Sequence, residues 1–135
     1  MNKERKRALG NPNPRNPMQA FFFVRSLSHK SLKTAPFRER CTAIRRAAYA
    51  SMARSSSPRR AWRRAVLSSL IPRRPRPSPA RLPPPRDQHD DLRRLIPGGE
   101  AIGDLCKLLE ETIDYVSCLR TQVQLMQEIA DSVDD

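Results

Sequence analysis

The chain has 135 residues, a net charge of +12 and 38% apolar residues, so it can form one modest domain at most. This length argues against an enzyme with a deep cleft between two lobes. The apolar share stays below the roughly 45–50% of globular proteins even with glycine counted, and the 13 prolines are about twice the usual share. We therefore expect much of the chain to lie outside any core.

Charge and apolar content divide the chain at residue 86. Residues 1–86 hold 22 of the 26 Lys and Arg, whereas residues 87–135 hold 12 of the 14 acidic residues. Leu, Ile, Val and Phe make up about 16% of the first part and about 29% of the second, on either side of the roughly 20% typical of disordered chains. We expect the folding unit to be C-terminal, and expect so short a unit to need a partner to complete its core.

The first 35 residues are expected to form a disordered basic arm. A basic cluster near the start is a candidate nuclear-import signal, or a solvated tail; it consists of Lys3, Arg5, Lys6 and Arg7. The acid-poor, Arg- and Ser-rich composition of the first seventy residues also resembles an organellar transit peptide, and this alternative stays open.

Residues 36–71 are expected to form two short basic amphipathic helices. In the first, which ends near Arg54, apolar residues recur every three or four positions: Phe37, Cys41, Ile44, Ala48 and Met52. The second follows Pro58, ends near Leu70 and has Trp62, Ala65, Val66 and Leu70 on one face. Helices this short are marginal alone, so they dock on an acidic surface or form on binding. The acidic C-terminal part is a candidate surface.

Residues 72–86 are expected to be an extended linker, because seven of the fourteen residues from 72 to 85 are proline. The dimerisation domain is expected at residues 87–135. It begins with a short helix that has Leu92, Leu95 and Ile96 on one side and stops at Pro97. Asp104 then caps a helix without Pro or Gly to the end of the chain.

The long helix carries a heptad pattern that is typical of intermolecular helix pairing, although an ordinary core helix is the alternative. Because nothing else in the chain is expected to be large enough to cover it, we predict an all-α helix–loop–helix unit that pairs with a second protein. The residues expected at the dimer interface are Leu92, Leu95, Ile96, Leu105, Leu108, Leu109, Thr112, Ile113, Val116, Leu119, Val123 and Met126.

We expect no catalytic, cofactor or metal site, because neither His29 nor His89 lies near a nucleophile or a glycine-rich phosphate loop. The three cysteines lack CxxC spacing, which favours reduced thiols over zinc. Glu110 and Glu111 are adjacent, so they point apart on a helix and are predicted to be solvated. The longest apolar run is residues 21–24, far short of a membrane span.

A second hypothesis is that the basic part binds nucleic acid. Clustered arginines give salt-sensitive affinity for phosphate without sequence preference, and Trp62 is a candidate stacking group. The candidate contacts are Arg45, Arg46, Arg59, Arg60, Arg63 and Arg64. A solvated or docking face is the alternative role for these residues.

Two sequence stretches carry a family resemblance. LRRLIPGGEA and LLEETIDYVSCLRTQVQLM, in residues 92 to about 126, resemble the helix–loop–helix region of plant basic helix–loop–helix (bHLH) regulators. Upstream, IRRAAYASMAR and RRAWRRAVL resemble an atypical subgroup, the growth-repressing proteins that bind the increased-leaf-inclination helix–loop–helix activators. Together these blocks cover about two thirds of the chain. The resemblance implies a nuclear repressor of cell elongation in brassinosteroid-linked signalling that forms heterodimers, with homodimers left open.

The chain departs from the DNA-binding members of that family at the positions that touch DNA. The base-reading Glu and His positions fall near Ser78 and Arg74, and the last basic turn falls on three prolines at residues 83–85, through which no helix can continue. Leu105 stands where family members place a phosphate-binding Lys. We therefore expect no sequence-specific E-box binding by this chain alone, and expect it to inhibit a DNA-binding partner.

Overall fold

The computed structural model describes residues 16–29, 32–72 and 88–133. Within these ranges the chain is helical and has no strand, which confirms the all-α class. The helices are α1 (Asn16–Ser28), α2 (Phe37–Ser55), α3 (Ala61–Leu70), α4 (Asp90–Leu95) and α5 (Leu105–Val133), and a 3-10 turn (Gly99–Ala101) precedes α5. The predicted import cluster and all of the predicted linker except Pro72 lie outside the described residues.

Helix α1 corrects the prediction that residues 1–35 are entirely disordered. It packs along α2 and also contacts α5. The side chains of Gln19 and Phe23 are buried there, the latter against Ala47 and Ala48 of α2. Residues 21–24 are consecutive apolar residues without helical spacing, so the apolar pattern did not reveal which side of α1 is covered.

Helices α2 and α3 lie where the apolar spacing predicts them. Helix α2 follows Pro36, whose carbonyl accepts a hydrogen bond from the Arg40 amide at 3.0 Å. It ends at Ser55, because the extended backbone of Ser56 stops the helical turn. Its stripe is covered only in part, because Phe37 and Cys41 at the N-terminal end are exposed.

Helix α4 lies within the segment predicted to form a short first helix. It ends at Leu95, and the extended backbone of Ile96 turns that side chain into the core. Leu95, predicted on the same side as Ile96, is instead 74% exposed. The loop that follows turns at Gly98, whose φ of +75° lies in the left-handed region that favours glycine. Helix α5 is capped as predicted: the Asp104 carboxylate accepts a hydrogen bond from the Cys106 amide at 2.9 Å.

The core is shared between the basic and the acidic parts of the chain, which corrects the expectation of a folding unit made by residues 87–135 alone. Its main cluster joins the helices α2, α3 and α5 and the residue after α4; the buried members are Met52, Ala53, Trp62, Val66, Ile96, Tyr115 and Cys118. The basic helices supply the apolar surface that the acidic part lacks, so one face of α5 is covered within the same chain.

A second cluster, where α1, α2 and α5 meet, contains a buried polar group. The Gln19 side-chain amide donates to the carbonyl of Cys118 at 2.9 Å and to the side-chain oxygen of Gln122 at 3.1 Å. The hydroxyl of Ser51 donates to the same Gln122 oxygen at 3.2 Å. Because buried polar groups need specific partners, these bonds fix the position of α1 on the two longer helices.

Candidate interaction surface

The contact that joins the basic and acidic parts is a carboxylate at the start of α3. The two oxygens of Glu111 accept hydrogen bonds from the backbone amides of Ala61 at 3.0 Å and Trp62 at 3.1 Å. These amides belong to the first turn, which has no side-chain cap of its own because Arg60 stands at the N-cap position. Glu111 is 8% exposed, so the prediction that it is a solvated charge is wrong. It acts as the helix cap from a distant part of the chain.

Asp114, one turn further along α5, completes this contact. It accepts a hydrogen bond from the indole nitrogen of Trp62 at 2.9 Å and forms an ion pair with Arg60 at 3.6 Å. The Trp62 side chain is fully buried and packs edge-on against Tyr115, with ring centroids 5.3 Å apart. Trp62 is therefore a core residue, and the hypothesis that it stacks on a nucleic-acid base is wrong.

Tyr115 lies at the centre of the interface between α5 and the basic helices. Burial, followed by the charge of Tyr49 and a hydrogen bond with Tyr49, raises the pKa of Tyr115 to about 12. The neutral phenol is therefore the form that fits this site, because an ionised ring would be desolvated beside a second phenol.

The opposite side of α5 carries a row of apolar side chains that nothing in the described residues covers. Each is between 37% and 71% exposed. With spacings of three, four and seven residues they lie along one line on the helix, about 27 Å long. We call this row the α5 stripe; its members are Leu105, Leu109, Ile113, Val116 and Val123.

The predicted dimer residues therefore divide into two groups. Five of the twelve form the α5 stripe, and Leu95 is also exposed. Leu108 and Ile96 are buried within the chain, and Leu92, Leu119 and Met126 are half-buried against the two clusters. Thr112 is half-buried, and its hydroxyl donates to the carbonyl of Leu108. Leu109, Val116 and Val123, which are seven residues apart, thus face solvent. Leu119 and Met126, also seven residues apart, pack against the chain's own helices.

A groove of about 370 Å³ borders the α5 stripe on the side of α2. Its walls are mostly apolar and come from these two helices; they consist of Cys41, Ile44, Arg45, Ala48, Tyr49 and Met52 on α2 and Leu119, Gln122, Val123 and Met126 on α5. Val123 belongs to both the groove and the stripe, so the two form one continuous surface.

The six arginines proposed to contact nucleic acid do not form one free patch. Three of them hold the chain together: Arg60 pairs with Asp114, Arg63 donates to the carbonyl of Ala53 at 2.8 Å, and Arg46 donates to the carbonyl of Leu70. The other three are exposed; they are Arg45, Arg59 and Arg64. Half of the six arginines therefore hold the chain's own helices together, which was the alternative to contact with nucleic acid.

The described ranges were expected to hold no metal site and no membrane span. No three His, Cys, Asp or Glu side chains in them are grouped so that they could hold a metal ion. None of the described helices combines the length and the apolar character that crossing a bilayer requires. Cys41 and Cys106 are exposed thiols, and Cys118 is buried.

Comparison with known proteins gives the chain a family. It is 41% identical to transcription factor IBH1 of Oryza sativa subsp. indica and 40% identical to that of subsp. japonica, over 84% of this chain and 77% of each relative. A shorter match, 44% identical, covers 32% of this chain and 24% of transcription factor IBH1-like 1 of Arabidopsis thaliana. No family model and no solved structure matches the sequence. From the identity and coverage of the rice relatives, the chain belongs to the family of plant IBH1-like transcription regulators.

Proposed function

We propose that this protein is an atypical helix–loop–helix regulator that pairs with a DNA-binding bHLH factor through the α5 stripe and prevents it from binding DNA. The observation that carries the proposal is the stripe itself: five apolar side chains lie exposed in one line on α5, on the side away from the main core cluster. Contiguous apolar surface of this kind marks a site of protein association.

The chemistry of pairing is apolar burial between helices. A partner helix laid along the stripe would bury five aliphatic side chains, each contributing roughly half of the about 1.5–3 kcal/mol for complete burial, because each is already partly covered. Loss of translational and side-chain freedom offsets part of this gain, which leaves room for a reversible regulatory complex.

The proposed inhibition follows from the acidic residues at the start of α4. Residues 88 and 89 form a turn, and α4 begins after them with Asp90 and Asp91, so acidic residues stand where DNA-binding relatives continue into a basic helix. Carboxylates at this position repel phosphate. A mixed dimer would keep one basic arm of two and lose a half-site of base contacts, at a cost of several kcal/mol in DNA affinity.

The family resemblance extends the proposal to location and biology: a nuclear repressor of cell elongation in brassinosteroid-linked growth. Nucleic-acid binding through the basic helices is the weaker candidate, because Trp62 is buried and three of the six arginines contact the protein itself.

The test measures pairing and DNA binding together. Purified full-length chain is mixed with purified plant bHLH proteins, and a gel shift on an E-box duplex is run at two salt concentrations. We expect the chain to pair with a bHLH protein and to remove its shifted band, while giving no band of its own that prefers the E-box over scrambled DNA. An E-box preference by the chain alone, or no pairing with any bHLH protein, would contradict the proposal.

Substitutions in the stripe sharpen this test. Leu109→Glu and Val116→Asp change exposed residues, so the chain should still fold, yet each would bury an unpaired charge in the complex at a cost of several kcal/mol. Ser132→Asp is the matched control: it adds a charge to an exposed position of α5, about 160° around the helix from Val116. Pairing should be lost with the first two variants and kept with the control.

A further inference from the structure

The partner-binding surface does not end at the edge of α5. The groove beside the α5 stripe has one wall on α2, a helix that lies outside the segment similar to the helix–loop–helix region. We propose that α2 is the second half of this surface, and that the groove between α2 and α5 receives one helix of the partner, which carries an Asp or Glu opposite Arg45. The inference rests on the proposed function and specifies where and what the partner contacts.

Helix lengths support the role of α2. Helices that pair as a bundle run alongside one another over several turns. With six residues, α4 is about 9 Å long and leaves Leu95 exposed, whereas the 19 residues of α2 span about 28 Å. Met52 shares a cluster with Cys118, and Ile44 shares one with Met126, so α2 runs antiparallel to α5. These two helices form the long hairpin that a partner helix could join.

Charge indicates what kind of helix fits. Among the ten described residues that line the groove, Arg45 is the one charged residue, and none is a carboxylate. Arg120 is exposed on α5 on the side that carries the stripe, about 40° around the helix from Val116. An acidic residue next to the apolar seam of the partner helix would therefore meet Arg45 in the groove.

The same charges argue against a second copy of this chain as the occupant. Two copies would each carry the net charge of +12, and each groove holds Arg45 and no acidic residue. Like charges brought together slow association and weaken the complex. The favoured occupant is thus an amphipathic helix of a bHLH protein with an acidic flank.

A pair of charge reversals on α2 tests the inference with the purified bHLH protein that pairs in the experiment above. Arg45→Glu places an acid in the groove, and Arg54→Glu makes the same change nine residues later, about 180° around the helix. Both arginines are exposed, so thermal unfolding of the two variants should match that of wild type within a few degrees. We expect Arg45→Glu to weaken pairing about tenfold and Arg54→Glu to change it less than twofold.

Cys41 provides a second measurement that does not depend on charge. Its exposed thiol lines the groove, whereas Cys118 is buried, so in a Cys106→Ser background the fast reaction with a maleimide reports on Cys41. Saturating bHLH protein should slow that reaction about tenfold. An unchanged rate would overturn the inference, even if Arg45→Glu weakens pairing, because the charge would then act from outside the contact.

The outcomes separate this inference from the proposed function. If Val116→Asp abolishes pairing while Arg45→Glu behaves like Arg54→Glu, the stripe is the interface, α2 takes no part, and only the inference fails. If no bHLH protein pairs with the wild-type chain, the proposed function and the inference fail together.

Discussion

Removal of the Glu111 carboxylate should detach α3 from α5. In Glu111→Ala the amides of Ala61 and Trp62 lose their acceptors, and Trp62 is a buried residue. A charge-assisted hydrogen bond to a buried amide contributes about 1.5–3 kcal/mol, and loss of a helix cap costs about 0.5–2 kcal/mol. The two ranges describe partly the same interactions and are not simply added, so we expect the free energy of unfolding to fall by about 2–4 kcal/mol.

Other interactions change this figure little. Arg60 loses a partner at 4.0 Å but keeps Asp114 at 3.6 Å, and its side chain is partly exposed, where ion pairs contribute little. Glu111→Gln should fall between wild type and Glu111→Ala, because the amide side chain offers one acceptor oxygen for two backbone donors.

The measurement is urea unfolding followed by tryptophan fluorescence. Trp62 is the one tryptophan in the sequence and lies at the junction under test, so its emission reports directly on the packing of α3 against α5. With a slope of about 2 kcal/mol per molar urea, the midpoint of Glu111→Ala should fall by about 1–2 M. Far-ultraviolet circular dichroism in parallel shows whether helix is lost with the tertiary signal.

Glu110→Ala is the matched control, because it removes the same charge from the neighbouring, exposed position. Its free energy of unfolding should stay within about 0.5 kcal/mol of that of wild type. Equal midpoints for the two alanine variants would refute the conclusion that Glu111 holds the basic helices on α5.

Two further predictions concern pH and the loop before α5. Because the pKa of Tyr115 is raised, the unfolded chain loses the phenol proton near pH 10 and the folded chain only near pH 12. The free energy of unfolding should therefore fall as pH rises through this window. Tyr115→Phe should flatten that fall in urea midpoints measured from pH 9 to 11.5. Gly99→Ala would put a Cβ against the carbonyl oxygen of Arg93, closer than a Cβ can approach, and should lower the melting temperature. Gly103→Ala, whose Cβ would meet no atom within 4 Å beyond its chain neighbours, should leave the melting temperature unchanged.

Local signals in the sequence predicted much of the helical structure. The apolar spacing of α2 and α3 and the cap at Asp104 depend on residues a few positions apart, and the structure has them. The contact of Glu111 with α3 depends on residues about fifty positions apart. One signal for it was present: a helix that starts after Arg60 has no capping side chain of its own, so its first amides need an acceptor from elsewhere.

The sequence did not predict which of the interface residues on α5 are exposed, for a geometric reason. Helical periodicity shows which residues of α5 share a side, but it does not show which neighbour covers that side. The apolar band of α5 is wide enough for two contacts: residues such as Leu108 and Tyr115 face the basic helices, and residues such as Leu109 and Val116 face solvent. A single heptad pattern therefore described two different surfaces.

The division of α5 into a covered side and an exposed stripe changes the reason for the proposed partner. The acidic segment alone was expected to need a second protein in order to fold, but its missing core is supplied by Met52, Trp62 and Val66 of the basic helices. A chain that completes its own core can keep the α5 stripe exposed as a standing surface, with binding not required for folding. In the proposed complex, pairing strength depends on the stripe and on the groove beside it, whereas the Glu111 contact contributes to the stability of the chain. Substitutions at the two places should therefore have separable effects.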